Sequence, residues 1–171
     1  VFGTPEARAL RRHPALAFDV NGSGQALVLS EDGALRAIPL QGGGELGVQE
    51  PLSIAPAARQ AKLAYYQPGR AIAVWMESAL TVDEALAAAD DYPILSRNQR
   101  VAWATFDGES WGTKQFLTDP GTGSGHPTLV ACPDWEAGCP AGGEVFLAWQ
   151  QNESGNPFQP RYRIRYATWL P

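Results

Sequence analysis

The sequence predicts an all-β protein made of repeated four-stranded antiparallel sheets, and three observations lead to this expectation. Apolar residues make up 44% of the 171 residues, a proportion typical of a chain that buries a core. Gly occurs 18 times and Pro 14 times, spread along the chain, which indicates many short elements joined by turns. Three segments also share one pattern, and they begin at His13, Gln60 and His126.

Each of these segments contains two short apolar runs on either side of a turn that contains glycine. The runs are ALAFD and QALVLS, then KLAYY and AIAVWM, then TLVAC and EVFLAW. Short runs rich in Val, Ile and aromatic residues, bounded by Gly and Pro, are typical of strands paired as hairpins. A second pair of strands is predicted within ALRAIPLQGGGELGVQEPLSI and within QRVAWATFDGESWGTKQFLTD, and YRIRYATWLP adds one strand to the third segment.

One stretch, TVDEALAAADDY, has a helical pattern instead. Thr81 suits the N-cap position, and Glu84 follows three residues later, as in a capping box. The stretch falls between the second and third strands of the middle unit. We therefore expect a helical insertion near residues 81–92.

Repeated units of four antiparallel strands are typical of β-propeller blades. A β-sandwich is the alternative, but it does not explain why similar residues recur at equivalent strand positions. We expect a single partial propeller over residues 1–171. Its parts are an outermost blade strand at 1–12, a blade at 13–54, a blade with the insertion at 55–120, and an incomplete blade at 121–171. Because propellers hold about four to eight blades, we expect another copy or a different chain to complete the ring, and no stable monomer.

The segment TFDGESW, from Thr105 to Trp111, resembles the Asp-box of sialidase-like and related BNR-repeat propellers. Asp107 and Gly108 are adjacent here, whereas the family pattern has one residue between them. The resemblance implies structural roles: Asp107 accepts backbone N–H bonds in a tight turn, Gly108 adopts a left-handed conformation, and Trp111 packs between sheets.

The segment RYRIRY offers a candidate ligand-binding stripe. Alternation along a strand places Arg161, Arg163 and Arg165 on one face, and guanidinium groups bind carboxylates in a bidentate manner. Tyr162 is a further candidate ligand-binding residue in this segment. Sialidases hold a substrate carboxylate with three arginines, but those come from different blades, and the resemblance transfers no catalytic residue. An exposed edge strand is the alternative interpretation.

Cys132 and Cys139 bracket the segment CPDWEAGC. The spacing lacks a CxxC pattern and nearby His residues, so a local disulfide is favoured over a metal or redox site. A disulfide predicts an extracellular, periplasmic or cell-surface location. No sequence motif for a cofactor or a metal occurs, and we expect neither.

The charge of the chain excludes some classes of partner. A net charge of −5 and a pI near 5.0 argue against nucleic acid as a partner, and no apolar run is long enough to span a membrane.

His13 and His126 each precede proline, so we expect them in loops rather than as general bases. Any site is expected on the face that carries the long segments 79–99 and 151–160 and the crossovers 55–61 and 119–126.

These observations favour a non-catalytic, secreted or cell-surface module for binding or for assembly with a partner chain, with a glycan as a possible ligand. A glycoside hydrolase of the sialidase-like kind and a carbohydrate-binding lectin are the alternatives.

Overall fold

The structure, a computed structural model, describes residues 14–30, 33–40, 47–48, 50–53 and 58–171. The strand predicted over residues 1–12, and His13 with it, lie outside these residues. The described part of the chain is all-β, as predicted: it forms three antiparallel sheets of three or four strands, with two short helices.

In each sheet, strands that are consecutive in the sequence are also neighbours in space. The first sheet contains β1 (Ala15–Phe18), β2 (Gly24–Leu29), β3 (Leu35–Leu40) and β4 (Glu50–Ser53). The middle sheet contains β5 (Arg59–Gln67), β6 (Arg70–Ser78), β7 (Gln99–Phe106) and β8 (Gln115–Phe116), with α1 (Val82–Ala87) and α2 (Tyr92–Arg97) between β6 and β7. The third sheet contains β9 (Ser124–Cys132), β10 (Glu144–Asn152) and β11 (Tyr162–Trp169).

The middle sheet is buried on both faces, because the other two sheets pack against it from opposite sides. Alternate residues of β6 face the two neighbours. Ala73 and Trp75 belong to a core cluster with Leu27 and Leu35 of the first sheet. Val74 and its neighbour Ile72 belong to a second cluster, with Val145 and Leu147 of the third sheet. A strand that is buried on both faces carries a continuous apolar run, and the segment AIAVWM of β6 is such a run.

The hairpin turns at one end of the sheets are joined to each other by hydrogen bonds. The backbone N–H of Gly69, in the β5–β6 turn, donates to Oδ2 of Asp19, in the β1–β2 turn, over 2.8 Å. The N–H of Asp134, between β9 and β10, donates to the carbonyl of Tyr66 over 3.0 Å. Equivalent turns of successive sheets therefore lie side by side.

The segment between β6 and β7 forms two helices rather than one. Thr81 is the N-cap of α1, where its side chain accepts from the N–H of Glu84 and the Glu84 carboxylate accepts from the N–H of Thr81. The sequence did not predict α2. That helix begins after Asp91, whose carboxylate accepts from the N–H of Ile94, and Pro93 lies in its first turn, where its missing N–H costs no helical hydrogen bond.

Candidate functional site

Asp107 and Gly108 lie in the turn between β7 and β8. The Asp107 carboxylate accepts hydrogen bonds from the backbone N–H groups of Ser110 and Glu109, both over 2.9 Å. These bonds hold the pKa of the Asp107 carboxyl below its usual range. Gly108 has a φ of 110°, a conformation that glycine adopts without steric cost.

Trp111 ends the same turn and packs on the core. It forms an isolated β-bridge with Phe106, and the two rings lie 5.5 Å apart. Its side chain contacts the cluster between the first and middle sheets. The indole Nε1 is buried without a hydrogen-bond partner, so this side chain contributes apolar contact area rather than polar recognition.

Cys132 and Cys139 form a disulfide across the loop between β9 and β10, with their Cα atoms 5.3 Å apart. The loop turns towards the middle sheet, where Asp134 bonds to Tyr66. The bond is compatible with an oxidising location. It lies on the same side of the sheets as the hairpin turns described above.

Two of the three arginines in the predicted stripe pair with one carboxylate of the same chain. Nε of Arg163 lies 2.6 Å from one oxygen of Glu153, and Nη2 of Arg165 lies 2.7 Å from the other. Arg161 is exposed, and its backbone N–H donates to Oδ1 of Asn152. Arg163 and Arg165 therefore share the carboxylate of Glu153, and a ligand site at the three arginines stays a prediction.

Tyr162, the fourth candidate in this segment, lines a cavity of about 320 Å³ on the opposite side of the sheets from the disulfide. The cavity lies among the starts of β5 and β9, the α2 helix, the crossover at 121–123 and the β10–β11 turn. Its polar lining residues are Arg59, Gln60, Tyr92, Ser96, Arg97, Gln99, Thr122, His126, Gln150, Asn152 and Tyr162. These segments belong to the face on which we expected a site.

Gln60 and His126 both line this cavity and are hydrogen-bonded to each other. Both have the left-handed conformation, with φ of 55° and 51°, and they occupy the same position of the sequence repeat. The N–H of His126 donates to Oε1 of Gln60, and Nε2 of Gln60 lies 3.1 Å from Nδ1 of His126. Because the backbone N–H can only donate, Oε1 is the acceptor and the amide NH₂ faces the ring. Nδ1 therefore accepts, and the imidazole proton lies on Nε2.

The expectation that His126 lies in a loop was wrong. His126 lies within β9, at a shift in the pairing between β9 and β10. An extra residue at a β-bulge tolerates a left-handed conformation, which an ordinary strand position does not. The recurrence of His13, Gln60 and His126 at one repeat position was the sequence signal for a special role at this point.

The sequence did not single out Arg59, Gln99 or Arg97 for this cavity. Arg97 reaches the cavity because α2 ends there, and its Nε donates to the carbonyl of Gly155 in the β10–β11 turn over 2.9 Å. The N–H of Gly123 donates to the Arg97 carbonyl over 3.1 Å. Three segments that are distant in sequence are thus held together around one wall of the cavity.

Beside this cavity lies a larger and more apolar groove of about 500 Å³, at the edge between the first and middle sheets. It shares Arg59, Gln60 and His126 with the first cavity, and Leu27, Leu35 and Ala58 supply apolar wall.

Glu77 of β6 is the buried carboxylate with the most hydrogen bonds. Trp75 donates to it through Nε1 over 2.9 Å, and Lys114 through Nζ over 2.9 Å. Arg100 lies 3.4 Å from the same carboxylate, and its guanidinium stacks over the Phe116 ring. A carboxylate enclosed by donors in this way has a structural role rather than an acid–base one.

Within the described residues, no group of three or more His, Cys, Asp or Glu side chains is arranged to hold a metal ion. The two helices of the described chain are both too short to cross a membrane. Neither protein families nor curated proteins yield a match to this chain.

Proposed function

We propose that this chain is a non-catalytic β-propeller module, located outside the reducing cytosol, that assembles with further blades through the outer face of its third sheet. One observation carries the proposal: that face exposes five large apolar side chains. Their exposed fractions are Val130 62%, Phe146 46%, Tyr162 55%, Ile164 66% and Tyr166 82%. An apolar patch on one sheet face is typical of a protein–protein contact surface.

The pairing register places these side chains on one surface. Phe146 of β10 lies opposite Val130 of β9, and Tyr166 of β11 lies opposite Ala148 of β10. Residues two apart on a strand face the same way, so Ile164 and Tyr162 continue the row. The other face of the sheet carries Val145 and Leu147, which are buried against the middle sheet.

The arrangement of the sheets supports a propeller rather than a sandwich. A two-sheet sandwich buries one face of each sheet, whereas here the middle sheet is covered on both faces. The first strands of the three sheets also lie next to each other, since β5 contacts both β1 and β9. The Asp-box-like turn at Asp107 is consistent with this architecture.

The proposed partner is a second copy of this chain. The first sheet exposes the apolar side chains of Leu16 and Phe18 in β1, where Leu16 lies opposite Ala26 of the buried cluster formed by Ala26, Val28 and Ile38. The proposed contact joins Leu16 and Phe18 of one copy to the outer face of the third sheet of the other copy. Two copies with three described sheets each would supply six blades, within the usual range of about four to eight.

The lining of the cavity favours binding over hydrolysis. Most glycoside hydrolases need two carboxyl groups on either side of the scissile bond. Among the described residues that line the cavity there is no Asp or Glu. The disulfide between Cys132 and Cys139 supports the proposed location.

Sedimentation velocity of the full chain over a range of concentrations tests the assembly. We expect a dimer, and we expect Ile164→Lys and Tyr166→Lys to shift it to monomer, because each places a charge in the apolar contact. Leu86→Lys is the matched control, since Leu86 is 69% exposed on α1, away from this face. A wild-type chain that stays a well-folded monomer at every concentration would disprove self-assembly.

A further inference from the structure

We infer that the cavity lined by Arg97, His126 and Tyr162 binds a small hydrophilic anion. The ligand would carry a carboxylate or phosphate group and adjacent hydroxyl groups. The cavity volume of about 320 Å³ is at the lower end of the range of about 300 to 1,000 Å³ found for ligand sites. The proposal concerns a different surface from the assembly face, although Tyr162 contributes to the rims of both.

The charge of the cavity is opposite to that of the chain. The chain carries a net charge of −5, yet the described lining residues include the guanidinium group of Arg97 and no Asp or Glu. Glu153, in the turn at the cavity rim, is already bound by Arg163 and Arg165. A concave site with one sign of charge attracts ions of the other sign, so this site selects anions.

Hydrogen-bond donors are also fixed in place before a ligand arrives. Nε of Arg97 donates to the Gly155 carbonyl, which orients the guanidinium and leaves its two terminal nitrogens as further donors. Nε2 of His126 carries the ring proton because Nδ1 accepts from Gln60. Donors that are held by other bonds lose little conformational entropy on binding, so they favour tight binding of a matching anion.

The remaining lining groups suit the uncharged part of such a ligand. Gln99 and Gln150 present amide groups, each of which both donates and accepts, and these match hydroxyl groups. The rings of Tyr92 and Tyr162 supply flat surface of the kind that packs against carbon–hydrogen bonds. Tyr92 is held against Phe158, with the ring centres 6.4 Å apart.

Calorimetric titration of the full chain tests the inference with five probes. D-glucuronate, citrate and inorganic phosphate are the anions, and D-glucose and glycerol are the neutral controls. We expect saturable binding of at least one anion and no saturable binding of the neutral probes. Comparison of phosphate with the two carboxylates identifies which charged group the site prefers. The difference in affinity between glucuronate and glucose gives the contribution of the carboxylate.

The variant Arg97→Gln should weaken anion binding by about tenfold or more, because it removes a charge-assisted hydrogen bond. Arg161→Gln is the matched control: it removes the same charge from a residue that does not line the cavity, and its affinity should match the wild type. Circular dichroism of each variant establishes that the sheets are retained.

Three results would overturn the inference: no saturable binding of any of the three anions, equal binding of glucose and glucuronate, or full affinity in the Arg97→Gln variant. Repeating the titration with Tyr166→Lys, whose cross-strand partner Ala148 does not line the cavity, separates this site from the assembly proposal. Anion binding by that variant should persist whether or not the chain forms dimers.

Discussion

Ser53 of the first sheet donates a hydrogen bond of 2.6 Å to the carboxylate of Glu77 in the middle sheet, and both side chains are buried. The bond joins β4, the last strand of one sheet, to β6 of the next. Glu77 also accepts from Trp75 and Lys114, so one carboxylate connects residues from several strands. A buried charge is tolerated only where donors surround it in this way.

Replacing Glu77 by Gln should lower the free energy of unfolding by about 2 to 4 kcal/mol, because the Lys114 ammonium then lies at a largely buried position without a counter-charge. Urea unfolding followed by tryptophan fluorescence measures the change. Glu136→Gln is the control, since Glu136 lies exposed in the disulfide loop, and it should alter stability little. Equal effects from the two substitutions would show that the Glu77 carboxylate is not needed as a charge.

Gly143→Ala should destabilise the protein at the contact between the β9–β10 loop and the middle sheet. Gly143 has a φ of 78°, and a Cβ there would overlap the carbonyl oxygen of Tyr66. Gly138→Ala is the matched control, because Gly138 has a φ of 94° but open space around it. Thermal unfolding should show a loss for Gly143→Ala that exceeds the loss for Gly138→Ala by at least about 1 kcal/mol. Similar losses would mean that backbone conformation alone matters at both positions.

Asp107 should contribute a pH-dependent share of stability. Its folded pKa is lowered by the N–H bonds from Ser110 and Glu109, so its contribution is present above the unfolded pKa of about 4 and is lost as the pH falls through the folded pKa. The melting temperature of Asp107→Asn should therefore lie below that of the wild type at neutral pH, and the two should converge in acid. The exposed Asp90→Asn is the control. A difference that stays constant across this pH range would contradict the prediction.

Reduction of the disulfide should loosen the loop at 133–143 more than the sheets. Cys132 and Cys139 are only 7 residues apart in sequence, so closing this loop stabilises the fold by roughly 2 to 3 kcal/mol in the chain-entropy description. Limited proteolysis should cut the reduced protein first within this loop. Thiols that react with an alkylating agent in the denatured, unreduced protein would disprove the bond, and global unfolding on reduction would disprove its local role.

The all-β class was predictable because its signals are local in sequence. AIAVWM lies within β6 and TLVAC within β9, where short apolar runs end at Gly or Pro. The capping box at Thr81 and Glu84 was readable for the same reason, since both partners lie within one helical turn. The disulfide between Cys132 and Cys139 is another short-range pairing.

Features that depend on how segments pack were not predictable. The strand pattern predicted a cationic stripe that includes Arg163 and Arg165. It could not predict that Glu153 pairs with both arginines across the β10–β11 hairpin, because that contact depends on the turn between the strands. The α2 helix has only six residues, and its N-cap, Asp91, was interpreted as the end of the preceding helix. Arg97 was consequently overlooked as a cavity residue.

The position of the middle sheet between two neighbours also bears on how the chain folds and unfolds. Among the described residues, all of the main contacts between sheets involve the middle sheet, whose residues Ile72, Val74, Trp75 and Val101 are almost wholly inaccessible. Within one chain, each outer sheet should therefore be stabilised only by its contact with the middle sheet, as each repeat in a linear array is stabilised only by its neighbours. In a chain without its proposed partner, the two outer sheets should therefore unfold before the middle sheet, as separate cooperative units.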